Sequence, residues 1–209
     1  MASSSPYKGV PRKKWLAKTE ELIDAHPLET EEIVDAVLVS WQSVFDSRIG
    51  RHGIQIGKEI FPSPQMMGTF LHELLPLELA ARHPGLWRGD QTKGEKDLVY
   101  IPDPALSVEV KTSSHKNQIF ANRSYAQPGG GISPGRKGKS GYYIAVNFEK
   151  FAANPSQTSP LPKIRLIRFG WLDHTDWIAQ KAATGQQARL NPKTYALKFV
   201  VLYDFSDEG

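Results

Sequence analysis

Asp97 and the run Glu109-Val110-Lys111 are the residues of this sequence whose types and spacing can do chemistry together. Asp97 opens one apolar run, ending at Ile101, and Glu109 and Lys111 lie in the next, Leu106 to Lys111. Pro102-Asp103-Pro104 between them is turn chemistry, so the two runs read as a hairpin. Facing residues of an antiparallel pair have a constant index sum. A turn centred on Asp103 makes that sum 206, which sets residue 97 opposite residue 109. Opposed Cβ atoms stand roughly 5 Å apart. Two carboxylates that close repel each other, and a divalent cation resolves the conflict by taking oxygen from both. Lys111, two residues past Glu109, shares its face of the strand and can orient an attacking water or offset developing negative charge. This is equipment for metal-assisted hydrolysis. A blander reading makes Asp97 and Lys111 the solvated ends of a surface hairpin, with Glu109 paired to Lys111 or Lys96. Against it stands the place of Glu109 between Val108 and Val110, in a stretch patterned as core.

Helices precede this hairpin and strands follow it. Trp15 to Ala25 predicts a short helix stopped by His26-Pro27. A second helix follows Thr30 as its cap, with Glu31 and Glu32 at the positive end of its dipole. Its stripe is Ile33, Val34, Val37, Leu38, Trp41, Val44 and Phe45, and Gly50 and Gly53 close it. A third runs from about Gly68 to Ala81, kinked at Pro76. After the hairpin, the polar stretch Thr112 to Gln127 predicts a helix capped by Ser113 or Ser114, and a glycine-rich loop spans Pro128 to Ser140. Strands are expected at Tyr142–Phe148, Ile164–Phe169 and Leu197–Tyr203, with a helix near Asp173–Ala182. The fold class is α/β: a single domain with a mixed β-sheet flanked by helices. Residues 1–14, polar and basic, read as a flexible arm before a domain over 15–209, mainly helical over 15–90 and sheet-forming over 91–209.

Composition narrows the functions further. The 209 residues contain no cysteine, which excludes disulfides, thiolate catalysis and cysteine metal sites. No apolar run is long enough to span a bilayer, and Met1 to Pro6 lacks the apolar core of a secretory signal, so a cytoplasmic protein is expected. The net charge of +4 is only mildly basic, and its distribution says more. Between Glu109 and Glu149 there is no acidic residue, whereas Lys111, Lys116, Arg123, Arg136, Lys137 and Lys139 all fall there. A surface lying against phosphates repels acids in this way. Ser113, Ser114, His115 and Lys116 follow the chemistry-bearing strand at once. Asn117, Gln118, Asn122, Arg123 and Gln127 are types that make paired hydrogen bonds to base edges. Gly138-Lys139-Ser140 is no phosphate-binding loop, because Ser133 stands where such a loop needs glycine and a strand follows. The six histidines have no metal-ligand spacing, and the five tryptophans read as core.

Asp97, eleven intervening residues, then Glu109-Val110-Lys111-Thr112-Ser113-Ser114 resembles the metal-binding signature of the PD-(D/E)XK nuclease superfamily, with Lys96 where the signature has proline. The literal Pro102-Asp103 lies at the turn tip, so Asp103 points away. The resemblance covers about two-thirds of the chain. It implies Mg²⁺ held by Asp97, Glu109 and the Val110 carbonyl, with Lys111 catalytic and a 5′-phosphate product. It also implies a further acid on the preceding helix, for which Glu73 is better positioned than Glu78. Glu95-Lys96-Asp97-Leu98-Val99-Tyr100 and His115 to Tyr125 are similar, more narrowly, to the ScaI-type restriction enzymes. That similarity implies a homodimer cutting double-stranded DNA bluntly at a palindrome centred on GTAC. Two alternatives remain at this point: a non-catalytic DNA- or RNA-binding module using the basic loop, and a structure-selective repair nuclease on the same fold.

Overall fold

The computed structural model describes residues 5–126, 138–182 and 184–205. Helix α1 spans Trp15–Asp24, α2 Thr30–Asp46 and α3 Pro64–Arg82. The α2 helix begins at Thr30 itself, and the Thr30 hydroxyl bonds the Glu31 carboxylate rather than capping the helix. The α3 helix starts earlier than its periodicity suggests. Ser63 accepts from the Met66 amide and Pro64 occupies the first turn, a strong start signal upstream of the apolar stripe. It then runs through Pro76 to Arg82. Among the described residues, no helix is long and apolar enough to cross a membrane.

The main sheet has six strands: β1 (Trp87–Gly89), β2 (Leu98–Tyr100), β3 (Val108–Ser113), β5 (Gly141–Phe148), β6 (Ile164–Leu172) and β9 (Phe199–Asp204), in that spatial order. Only β3 and β5 are parallel neighbours. A smaller antiparallel sheet has the order β4 (Phe120–Asn122), β8 (Gln187–Leu190), β7 (Trp177–Ala179). The period-two pattern of β5 divides the interior in two. Tyr142, Ile144, Val146 and Phe148 join the core shared with α1, α2 and α3, whereas Tyr143 and Ala145 join a second core with Ile119, Trp177, Ala188 and Leu190. The large sheet therefore has helices on one face and the small sheet on the other. The fold class is as the sequence predicts.

Three local readings need correction. Among the described residues, the helix expected over Thr112–Gln127 is absent: β3 runs on to Ser113, a turn follows, and then come β4 and a 3₁₀ turn, Arg123–Ala126. Asn147, buried in β5, is the reason. Its Nδ2 donates to the carbonyls of His115 (2.8 Å) and Gln118 (2.9 Å), while Arg168 Nη2 donates to its Oδ1 at 2.6 Å. The Tyr195 hydroxyl accepts from the Ile119 amide at 3.0 Å. Backbone groups that a helix would pair are thus taken by side chains from other elements. The helix expected at Asp173–Ala182 is a 3₁₀ turn, His174–Asp176, followed by β7. Finally, α4 (Pro192–Lys198) was not anticipated, although Asn191-Pro192 is a start signal, with Asn191 Oδ1 accepting from the Lys193 amide at 3.0 Å.

From Ser5 onward the N-terminal segment is seated on the domain rather than loose. Tyr7 is buried, and its hydroxyl meets Thr19 Oγ1 at 2.8 Å and donates to the Trp171 carbonyl at 3.2 Å. Beneath it lies Lys198, whose ammonium donates to Asp173 Oδ2 (2.8 Å) and Asp176 Oδ2 (2.7 Å) and stands over the rings of Tyr7 and Trp15. This buried cluster also explains the lost helix at Asp173, because both aspartates turn inward to one cation.

His26 yields a pH prediction. It is 5% exposed among Tyr142, Phe169 and Trp87; its Nδ1 accepts from the Leu28 amide, and its Nε2 faces the Leu106 carbonyl at 2.9 Å. Burial pulls the imidazole from 6.5 down to about 4. The unfolded chain therefore binds a proton below pH 6.5 that the folded chain refuses until about pH 4. The stability it confers is whole above pH 6.5 and is lost as pH falls to 4, a change of about 3 kcal/mol. Urea denaturation at pH 7 and pH 5 should show the wild type weakening by about 2 kcal/mol. His26→Asn should lack that increment, and an equal slope in both proteins would exclude His26 as its source.

Candidate active site

The hairpin register is the one the index sum requires. Leu98 pairs with Val108, whose numbers add to 206, so Asp97 stands opposite Glu109 at the mouth of the pair. Asp103 is remote from both: its carboxylate caps the 3₁₀ turn Pro104–Leu106 by accepting from the Ala105 amide. Asp97 and Glu109 are 4% and 1% exposed, so the two carboxylates belong to the interior and not to a solvated surface hairpin. Val108 and Val110 point into the helix-side core and send Glu109 and Lys111 to the opposite face.

Each carboxylate is held on one oxygen by two groups. Asp97 Oδ2 accepts from the Val110 amide at 2.7 Å and lies 3.2 Å from His72 Nε2. Glu109 Oε1 accepts from Lys111 Nζ and from the Tyr125 hydroxyl, both at 2.5 Å. On the other side of Glu109, Lys96 Nζ stands 3.9 Å from Oε2 and 4.8 Å from the centre of the Tyr143 ring. Beside that lysine lies Gly141, whose φ of 137° is backbone that favours glycine. Among the described residues, His72, Lys96 and Lys111 thus surround two buried anions. The Asp97 hydrogen bond raises the affinity of His72 for its proton. Burial first, and then the charge of Glu109, hold the Tyr125 phenol far above its ordinary range, so it remains a donor.

His72 comes from α3, and its position follows from a glycine. A Cβ on Gly68 would fall 2.7 Å from Thr112 Oγ1, so α3 lies almost in contact with β3 there. One helical turn later the same face carries residue 72. Glu73 lies about 100° farther round the helix. Its side chain is 70% exposed, with Oε1 3.6 Å from His72 Nδ1. The structure thus brings His72, not Glu73, to Asp97. Glu78 pairs with Arg82 instead. His72 and Tyr125 were not anticipated as members of the site, and Lys96 entered only as a partner of Glu109 in the surface-hairpin reading. The four-residue step from Gly68 to His72 could have signalled the first of them.

A cleft of about 670 Å³ opens beside His72. One wall is the α3 face Gln65, Gly68, Thr69 and His72; the other is Thr112, Ser113, Ser114 and His115. Lys116 and Asn117 are exposed on the adjoining surface, in a smaller hollow with Glu149 and Arg165, and Asn122 is exposed. Gln118 is half-buried, and its carbonyl receives Asn147. Arg123 donates to the carbonyls of Ala182 and Gly185, both at 3.0 Å, and so clasps the connection between β7 and β8. Lys139 donates to the Ser124 carbonyl and stands 5.5 Å from the Tyr125 ring centre. Gln127, Arg136 and Lys137 lie outside the described residues.

The donor set fits a hard cation. Asp97, Glu109 and the Val110 carbonyl offer oxygen alone, and among the described residues no three His, Asp or Glu side chains gather into a complete metal cage. Two carboxylates with the remaining positions left to water and substrate phosphate are what a magnesium-like ion accepts.

A six-stranded mixed sheet with helices on one face, carrying opposed acids and a lysine on a hairpin, is consistent with a nuclease of the restriction-endonuclease type. Residues 5–203 match the family model for ScaI restriction endonuclease. The chain is also 54% identical over 188 residues to the type II restriction enzyme ScaI of Streptomyces caespitosus, a match covering 90% of this chain and 80% of that protein. The chain belongs to the ScaI restriction endonuclease family, and its activity is that of a site-specific deoxyribonuclease.

Proposed function

We propose that the protein is a type II enzyme that hydrolyses phosphodiester bonds of double-stranded DNA with Mg²⁺, leaving 5′-phosphates. The observation carrying this reading is the buried opposition of Asp97 and Glu109, with the Lys111 ammonium 2.5 Å from Glu109 Oε1. Asp97, Glu109 and the Val110 carbonyl would hold the cation, whose chemistry is to acidify a water and neutralise the phosphate. Lys111 then orients the attacking water and offsets negative charge as the phosphorus gains its fifth oxygen. The Val110 amide and His72 fix the plane of the Asp97 carboxylate, and Glu73 acts on the site through His72. Lys96 balances Glu109 from the other side.

In this reading DNA lies across the cleft between α3 and the turn after β3. Ser113, Ser114 and His115 meet phosphates. Lys116, Asn117, Gln118 and Asn122, with Gln127, Arg136, Lys137 and Lys139, supply the surrounding contacts. Arg123 supports this segment from behind. Cutting both strands symmetrically takes two such sites, hence a homodimer and a palindromic target. A cytoplasmic location follows from a DNA substrate inside the cell.

Incubating supercoiled plasmid with the protein and Mg²⁺ is expected to produce discrete fragments, and EDTA should abolish them. The ends should accept a radiolabelled phosphate from kinase only after phosphatase treatment. Retardation of the plasmid without cleavage in either buffer would leave a binding module as the answer. Readily labelled ends would overturn the 5′-phosphate product.

A further inference from the structure

We infer that Tyr125 is a positioning residue of this centre, fixing the Glu109 carboxylate through its hydroxyl. The inference rests on the proposed role of Glu109 as a metal-holding acid.

Tyr125 belongs to none of the elements that carry the other site residues. It sits in the 3₁₀ turn Arg123–Ala126, after β4, and reaches Glu109 from sixteen residues away in sequence. Its surroundings hold the ring on several sides. Trp177 of β7 packs edge-on with centroids 5.4 Å apart, and the ammonium groups of Lys111 and Lys139 lie 5.0 and 5.5 Å from the ring centre. The turn itself is anchored by Arg123, through its side chain to Ala182 and Gly185 and its amide to the Gln186 carbonyl at 2.7 Å. A phenol held this firmly donates along one direction, and the acceptor there is Glu109 Oε1.

Glu109 needs such a partner. Its own strand fixes the backbone, but a glutamate has three side-chain torsions, and Lys111 is a flexible chain whose three donors accept many geometries. Lys111 alone neutralises Oε1 without setting the carboxylate plane. A second donor on the same oxygen, from a rigid ring, sets it. Lys111 also lies over that ring, so one aromatic side chain aligns both the acid and the catalytic ammonium. Partners of this kind, one shell behind a metal ligand, typically change metal affinity or activity by about 10–100-fold when removed.

The test is Tyr125→Phe, which deletes the hydroxyl and keeps the ring against Trp177. Binding of Mn²⁺ to the free protein, followed by electron paramagnetic resonance, should weaken about 10-fold or more. Single-turnover cleavage at saturating DNA should slow by about 10–100-fold, while DNA affinity measured in Ca²⁺ and the thermal midpoint stay near wild type. Wild-type Mn²⁺ affinity and cleavage in Tyr125→Phe, with losses only in Tyr125→Ala, would make Tyr125 a packing residue and overturn the inference. Glu109→Gln separates this from the reading beneath it. If that variant loses Mn²⁺ binding while Tyr125→Phe keeps it, only the inference falls; if Glu109→Gln binds Mn²⁺ as well as wild type, both fall.

Discussion

Replacing Glu109 by glutamine should reduce DNA cleavage by about a thousandfold or more while leaving a folded protein that still binds DNA. The substitution keeps shape and volume but exchanges an anionic oxygen for an NH₂ group. One edge of the side chain would then present donors to a cation, and the Lys111 ammonium would lose the charge that holds it 2.5 Å from Oε1. The position is 1% exposed, so no solvent compensates. Removing the charge relieves repulsion with Asp97 but also deprives the largely buried Lys96 and Lys111 ammonium groups of a counter-charge, so the thermal midpoint should fall by several degrees while the domain stays folded. Two measurements check this: cleavage of a plasmid with excess Mg²⁺, and gel retardation in Ca²⁺. Cleavage within tenfold of wild type would remove Glu109 from the chemistry.

The largest expected loss of stability lies elsewhere, at Lys198. Replacement by methionine keeps the apolar stem against Tyr7 and Trp15 but leaves Asp173 and Asp176 facing each other with no cation between them. Their side chains are 16% and 12% exposed, so water relieves little of the repulsion. Burial already pushes the Asp176 carboxyl up even with the lysine present. Removing one partner of a buried ion pair costs about 3–5 kcal/mol. For a domain of this length that lowers the thermal midpoint by about 6–20 °C. Adding Asp173→Asn and Asp176→Asn to Lys198→Met should recover much of the loss, since no buried charge is then left unmatched. Calorimetry on the single and triple variants decides it, and equal midpoints for wild type and Lys198→Met would show the cluster to be energetically neutral.

The two predictions differ in how readable their residues are. Asp97, Glu109 and Lys111 could be found in the sequence because a hairpin is a local device. A Pro-Asp-Pro turn sets the register, the register sets the index sum, and alternation sets the shared face. The first three helices were legible for a similar reason, since a buried stripe at helical spacing needs no knowledge of what buries it.

What surrounds those acids was decided only in three dimensions. His72 reaches Asp97 because Gly68 lets α3 approach β3 at Thr112, a contact spanning 44 positions. Tyr125 reaches Glu109 because a small sheet, whose strands are three or four residues long, packs over the large one. Strands that short carry too little alternation to announce themselves, and their partners lie more than fifty residues away along the chain or across a loop. The polar stretch after β3 was misread for the same reason. Its local preference for helix is outweighed by Asn147 and Tyr195, which satisfy its backbone groups from distant elements. Sequence alone determined which groups could do the chemistry, because turn and strand geometry act over a few residues. Tertiary packing decided how those groups are aimed, because the hydrogen bonds that aim them come from elements the chain brings together only on folding.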